Sequence, residues 1–176
     1  ALQKLGKYSP NESFTKMVQS SLDHICNSPI DSNGFCVIYD IKTGKWSGKD
    51  PVSQGQAMNS IALAILEGRK NKELNTLLWE NFLLKAADVF SNRILNPTWT
   101  PVNTAEAFFI APLISASTIF NNEKYGRAAL KAADYYAGRH LDMDEPYWGG
   151  TLDATCEDKE GAWGAFQGFL AAFEFT

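Results

Sequence analysis

Cysteine and histidine are scarce in this chain, basic residues do not outnumber acidic ones, and no long apolar run occurs. Its 176 residues carry 16 Lys and Arg against 20 Asp and Glu, for a formal charge of −4. Binding to a phosphate backbone needs Lys and Arg clustered on one face, so nucleic acid is not an expected partner. No stretch approaches the roughly 18 apolar residues of a membrane span, and the amino terminus lacks a basic segment followed by an apolar one. No membrane partner is expected, and a secreted or periplasmic location is slightly favoured, with any signal peptide already removed.

Cys26, Cys36 and Cys156 are odd in number and fall in no CxxC or Cys/His cluster, and His24 and His140 are the only imidazoles. Neither a disulfide framework nor a zinc site is suggested, and no metal or cofactor is expected. Buried free thiols are the favoured state, with a Cys26 to Cys36 bridge the alternative in an oxidising compartment. Asn11-Glu12-Ser13 matches a glycosylation sequon, a pattern too short to be specific.

What the chain does have is an internal repeat. A tryptophan in a polar loop precedes a capped helix and then a charged amphipathic helix, with Trp46, Trp99 and Trp148 marking the loops about fifty residues apart. The pentapeptide Leu84-Lys85-Ala86-Ala87-Asp88 returns as Leu130-Lys131-Ala132-Ala133-Asp134 at the corresponding place one unit later. Two helices per unit mean stacked helical hairpins, none of which buries its apolar face alone.

Six helices follow from the periodicity. Ser9-Pro10 with Glu12 starts the first, to about residue 26; Asp50-Pro51 starts the second, whose Met58, Ile61, Ala62, Ile65 and Leu66 share one face. The third, about 72 to 95, carries Leu74, Leu78, Phe82, Ala86, Val89 and Phe90 on one side. The fourth starts at Asn103 or Thr104 with Glu106 as cap partner and is apolar nearly all round, with Pro112 expected to bend it. The fifth, about 123 to 140, sets Lys124, Arg127, Lys131, Asp134 and Arg139 opposite Tyr125, Ala129, Ala132 and Tyr136, and the sixth, about 160 to 174, is aromatic and apolar again. Between the first two, Phe35-Cys36-Val37-Ile38-Tyr39 suits a short strand, and a small β-hairpin near 35–46 fits the flanking glycines.

Helices two, four and six thus read as buried and one, three and five as wet on one side. The expected fold is a single all-α domain over 1–176, an α/α toroid of inner and outer layers with about three hairpins and the tryptophan loops gathered at one end. An α-solenoid is the rival, but its repeats run on short loops, whereas these loops reach roughly twenty residues.

Chemistry concentrates in the segment from Asp142 to Glu160, which holds seven of the twenty acids within nineteen residues, around Tyr147, Trp148 and the Gly149-Gly150 pair. Clustered carboxylates beside aromatics suit sugar chemistry: one acid protonates a leaving oxygen, one carboxylate attacks or activates water, and aromatic faces hold the rings. The plain alternative is a solvated acidic loop whose Glu157 and Asp158 cap the sixth helix. An EF-hand count from Asp142 fails, because Pro146 and Tyr147 occupy positions meant for a ligand and an obligatory glycine. Gln54, Gln56 and Asn59 head the second helix and Glu106 the fourth, so they converge with the acidic loop if the inner helices start at one rim; helix capping explains them equally. Trp46 and Trp99 line that rim or pack between hairpins.

The run Pro146-Tyr147-Trp148-Gly149-Gly150-Thr151-Leu152-Asp153, then Glu157-Asp158-Lys159-Glu160-Gly161-Ala162 and Phe166-Gln167-Gly168-Phe169-Leu170, with Ser53-Gln54-Gly55-Gln56 opening an inner helix, resembles the six-hairpin glycosidase superfamily, the (α/α)6 toroids. The resemblance implies a glycoside hydrolase acting on carbohydrate at the loop end, with Asp153, Glu157 and Asp158 as catalytic candidates. Trp148, Tyr147, Trp99, Gln54 and Glu106 would bind substrate. Only about three hairpins are present where the superfamily has six, which implies a fragment, or an apolar edge at Phe166, Phe169 and Phe173 that the rest of the protein or another chain covers. The competing functions are a non-catalytic carbohydrate-binding or scaffold module, an isoprenoid toroid whose Mg²⁺-binding aspartate motifs are not evident, and a polysaccharide lyase using Tyr147 with Arg139 or His140.

Overall fold

A computed structural model of the protein describes residues 12–70, 73–101, 103–142 and 159–176. In chain order these form α1 (Glu12–Cys26), β1 (Ile30–Asp31), β2 (Gly34–Phe35), β3 (Ile38–Asp40), β4 (Lys45–Ser47), α2 (Pro51–Gly68), α3 (Leu77–Leu95), a 3-10 helix (Thr104–Phe109) that runs into α4 (Ile110–Phe120), α5 (Glu123–Asp142) and α6 (Lys159–Phe175). The chain is all-α apart from two antiparallel hairpins, β1 with β2 and β3 with β4. The stretch 35–39 is therefore two strands and not one, divided at Cys36-Val37. Ser9-Pro10 and Asn11 of the sequon lie outside the described residues.

Asp50-Pro51 starts α2 as its sequence requires. The Asp50 carboxylate accepts the Ser53 backbone N–H at 2.8 Å, and proline fills the first helical position, where no donor is needed. Two other starts differ from expectation. α3 begins at Leu77 and not near 72, because Asn75 is bonded to α1: Gln19 Nε2 donates to its carbonyl and its N–H donates to Gln19 Oε1. The fourth helix opens at Asn103, whose side chain accepts the Ala105 N–H, but its first six residues are 3-10 and Glu106 is no cap partner. Pro112 accounts for the delayed α-helix, since it cannot donate to the Phe108 carbonyl four residues back and its ring would collide with it.

Contacts run from α2 to α4 to α6 and from α1 to α3 to α5, with α3 and α5 also crossing to the first set. The helices therefore form two layers. The repeated Ala-Ala pair explains itself here: Ala86, Ala87, Ala132 and Ala133 are all buried, giving α3 and α5 small surfaces for close packing. Between the layers lie Met58, Ile61 and Ile65 of α2, Trp79 and Leu83 of α3, and Phe90 stacked on Phe109 with centroids 4.0 Å apart. Phe35 inserts from the first hairpin edge-on against Phe82 at 4.9 Å. Phe108 sits between α2 and α6, where a Cβ on Gly55 would lie 2.7 Å from its carbonyl oxygen and one on Gly164 would lie 2.6 Å from its ring.

α6 is not the helix buried all round that its apolar sequence predicts, although Phe166 and Phe173 do form the expected apolar edge. Its buried face is the small-residue stripe Gly161, Gly164, Ala165, Gly168 and Ala172, while Trp163, Phe166, Leu170 and Phe173 are exposed, Phe173 to 81 %. Small residues let α6 approach the 3-10 helix and α4 closely, which leaves the bulky ones on the far side. The supposed wet side of α5 is corrected too: Lys124 pairs with Asp88 of α3, and Lys131 and Arg139 bond backbone carbonyls of the neighbouring helix and loop.

The layers have two unlike ends. At one, short turns join the helices: Asn121 takes the left-handed conformation (φ 49°) that ends α4, and Asn122 Oδ1 accepts the Lys124 N–H to start α5. At the other, α3 and α5 end while α2 and the 3-10 helix begin, and the connector 96–103 lies there.

Candidate functional site

The loop 96–103 is shaped by one face of α5. Lys131 Nζ donates to the carbonyls of Ile94 and Asn96, capping the carboxyl end of α3 with a cation. One turn later Tyr135 Oη donates to the Pro101 carbonyl and Tyr136 Oη to that of Asn103, both at 2.9 Å, and Arg139 Nη1 reaches Pro101 at 3.1 Å. The i, i+4, i+5, i+8 spacing puts all four donors on one side of the helix. Burial pushes the Tyr136 phenol far above its ordinary range, and the negative charge of Glu106 pushes the same way, so Tyr136 stays a protonated donor.

The loop so held encloses, with the ends of α3 and the starts of α2 and the 3-10 helix, a pocket of about 490 Å³. Pro51, Arg93, Asn96, Thr98, Trp99, Thr100, Pro101, Asn103 and Glu106 line it. Glu106 is its fixed point, 7 % exposed and held from two sides. Arg93 Nη2 meets Oε1 at 2.8 Å, and the Trp99 indole N–H donates to Oε2 at 2.6 Å. Charge-assisted bonds of this kind are about twice as strong as neutral ones, so the carboxylate sets both the plane of the indole and the direction of the guanidinium. Tyr135 packs on Trp99 from the protein side, with ring centroids 5.1 Å apart.

Of the residues expected at the site, Trp99 and Glu106 are brought into direct contact. Gln54 is buried elsewhere: its Nε2 donates to the Phe35 carbonyl at 2.7 Å, fastening the first hairpin to α2, and it does not line the pocket. Trp46 packs on His24 and Tyr39 at the second hairpin, with centroids 5.1 and 5.0 Å away. Asp153, Glu157, Asp158, Trp148 and Tyr147 lie outside the described residues. Sequence reasoning missed Arg93, Tyr135 and the structural use of Lys131 and Tyr136. Of the four donors on this α5 face, the sequence pattern puts Lys131 and Arg139 on the wet side and Tyr136 on the apolar one, and it does not show that they meet at one loop.

Both Glu106 oxygens are engaged, and the rest of the described lining offers the Arg93 guanidinium, the amides of Asn96 and Asn103 and the hydroxyls of Thr98 and Thr100. Among the described residues no group of three or more His, Cys, Asp or Glu is placed to hold a metal ion, and no helix is long and apolar enough to cross a membrane. Cys26 and Cys36 are free thiols, and burial followed by the charge of Asp23 pushes Cys26 up to about 12. No family model matches the chain, and no curated protein or solved structure is detectably similar to it.

Proposed function

We propose that this chain is a carbohydrate-active domain, a glycoside hydrolase built on part of an α/α toroid, with the sugar entering at the long-loop end. The observation that carries the reading is the Trp99 pocket: an indole held rigid by a buried carboxylate, ringed by the amides and hydroxyls of Asn96, Thr98, Thr100 and Asn103. Sugars present apolar C–H faces and ringed hydroxyls, and a fixed aromatic with a few polar groups matches both. Catalysis is assigned to the acidic segment on its composition alone, with two of Asp153, Glu157 and Asp158 as acid and as base or nucleophile.

Turnover of aryl glycosides and a panel of glycans, compared between wild type and Asp153→Asn, Glu157→Gln and Asp158→Asn, tests this. Loss of about 10²-fold or more in at least two variants is expected for a general acid and its partner, and unchanged turnover in all three would remove these acids from the reaction. A second reading, a binding module without catalysis, draws on the pocket's only described carboxylate being tied up by Arg93 and Trp99; sugar binding without turnover in any condition would favour it. The same toroid reading has the exposed stripe of α6 covered by a further hairpin or another chain, and a monomer by sedimentation at all concentrations would argue against the second of these.

A further inference from the structure

We infer that the pocket beside Arg93 takes an acidic sugar, a uronic acid whose carboxylate pairs with the guanidinium; this rests on the carbohydrate reading above. The lining holds one cation and one carboxylate, and the two are not equally available. Glu106 is buried with both oxygens accepting, whereas the Arg93 side chain is 43 % exposed and gives only Nη2 to Glu106. A guanidinium has five N–H donors in a planar fork, so the rest of the fork is left for a ligand, and its partner of best fit is a planar carboxylate. Lys131 adds a second positive charge 5.7 Å from the Trp99 ring, where its ammonium bonds only carbonyl oxygens. The other acids nearby do not occupy the Arg93 fork: Asp50, next to Pro51, caps α2 through the Ser53 N–H, and Asp134 on α5 is exposed to solvent. In the described wall of this pocket Arg93 is thus the charged group whose hydrogen-bonding capacity is not used up by its partner. A neutral hydroxymethyl group at the same position would accept a hydrogen bond from Arg93 but bring no charge to it. The carboxylate of a uronate extends the Glu106 to Arg93 pair into a bridge, while Trp99 takes the ring's C–H face.

Matched pairs test it: methyl glucuronide against methyl glucoside, and methyl galacturonide against methyl galactoside, titrated against the protein at 50 mM salt and followed by tryptophan fluorescence and calorimetry. The acidic member of one pair is expected to bind at least about tenfold more tightly than its neutral partner, and Arg93→Gln is expected to abolish that preference, leaving the two members of the pair equal. Because Arg93→Gln also removes the ion partner of Glu106, a salt series on the wild type is the second measurement. Uronate affinity should fall steeply to 500 mM salt while neutral affinity stays level. Equal affinities within both pairs, or a preference that survives both Arg93→Gln and high salt, would overturn the inference while leaving a sugar site standing. Binding of neither member of any pair would remove the sugar site and the inference together.

Discussion

Two Arg–Glu pairs stand at opposite ends of the helical layers. At the short-turn end Arg69 Nε meets Glu80 at 3.0 Å with 42 % and 24 % of the side chains exposed; at the long-loop end Arg93 Nη2 meets Glu106 at 2.8 Å with 43 % and 9 % exposed. The cations are equally wet, and the difference lies in the carboxylates. Glu80 also accepts from Thr76 Oγ1 beside solvent, so water replaces what is lost. Glu106 has no such substitute and is held by an indole as well. An exposed pair of this kind contributes little net stability, whereas breaking one with a buried member strands its partners. The long-loop end therefore carries the interactions that cannot be swapped for water.

The sharpest way to break that comparison is to truncate both carboxylates. Glu106→Ala should cost about 3 kcal/mol in urea unfolding, and Glu80→Ala less than about 1 kcal/mol; equal losses would erase the distinction between the ends. Next in size is Gly55→Ala, whose Cβ would sit 2.5 Å from Phe108 Cβ and 2.7 Å from its carbonyl oxygen. A loss of about 2 kcal/mol is expected from such overpacking. The control Gly138→Ala has nothing within 4 Å of the new Cβ, and it should raise the unfolding free energy by up to about 1 kcal/mol through helix propensity. Tyr136→Phe removes the donor to the Asn103 carbonyl and should cost about 1 kcal/mol, with a change in Trp99 fluorescence as the 96–103 loop relaxes.

The smallest effect is in acid. The Arg69 hydrogen bond, outweighing desolvation, holds the Glu80 carboxyl below its ordinary value. A lowered carboxylate stabilises the folded state fully above the ordinary glutamate value near pH 4.3, and that contribution is lost as pH falls through the folded value. Because the pair is partly exposed, Glu80→Gln should flatten the acid limb of the stability curve by only about 0.5 kcal/mol, measured as melting temperature between pH 6 and 3.

How far the primary structure could be read depended on how local each signal is. Asp50-Pro51, Asn103 and the Tyr125, Ala129, Ala132, Tyr136 face are visible because caps and helical periodicity act within a few residues. Gln54 was misread as a rim group because nothing local shows that Phe35, 19 residues earlier, returns to offer it a carbonyl. Arg93, Lys131 and Arg139 looked solvent-facing for the same reason: a charged residue opposite an apolar stripe has the same pattern whether it meets water or a neighbouring loop. Trp79 escaped notice as a tie, though its indole donates to Asp23 of α1 at 2.7 Å across 56 residues.

Sequence by itself determined the number and order of the described helices, the caps at Asp50 and Asn103, and the small alanine pairs that let α3 and α5 lie close, since each is decided by the chain's own near neighbours. Only tertiary structure decided which face of α6 is covered, where the 3-10 turn precedes α4, and that Glu106 joins Arg93 to Trp99. Those outcomes depend on groups far apart in the chain meeting in space, and the free energy of burying a carboxylate or a phenyl ring is set by what surrounds it there.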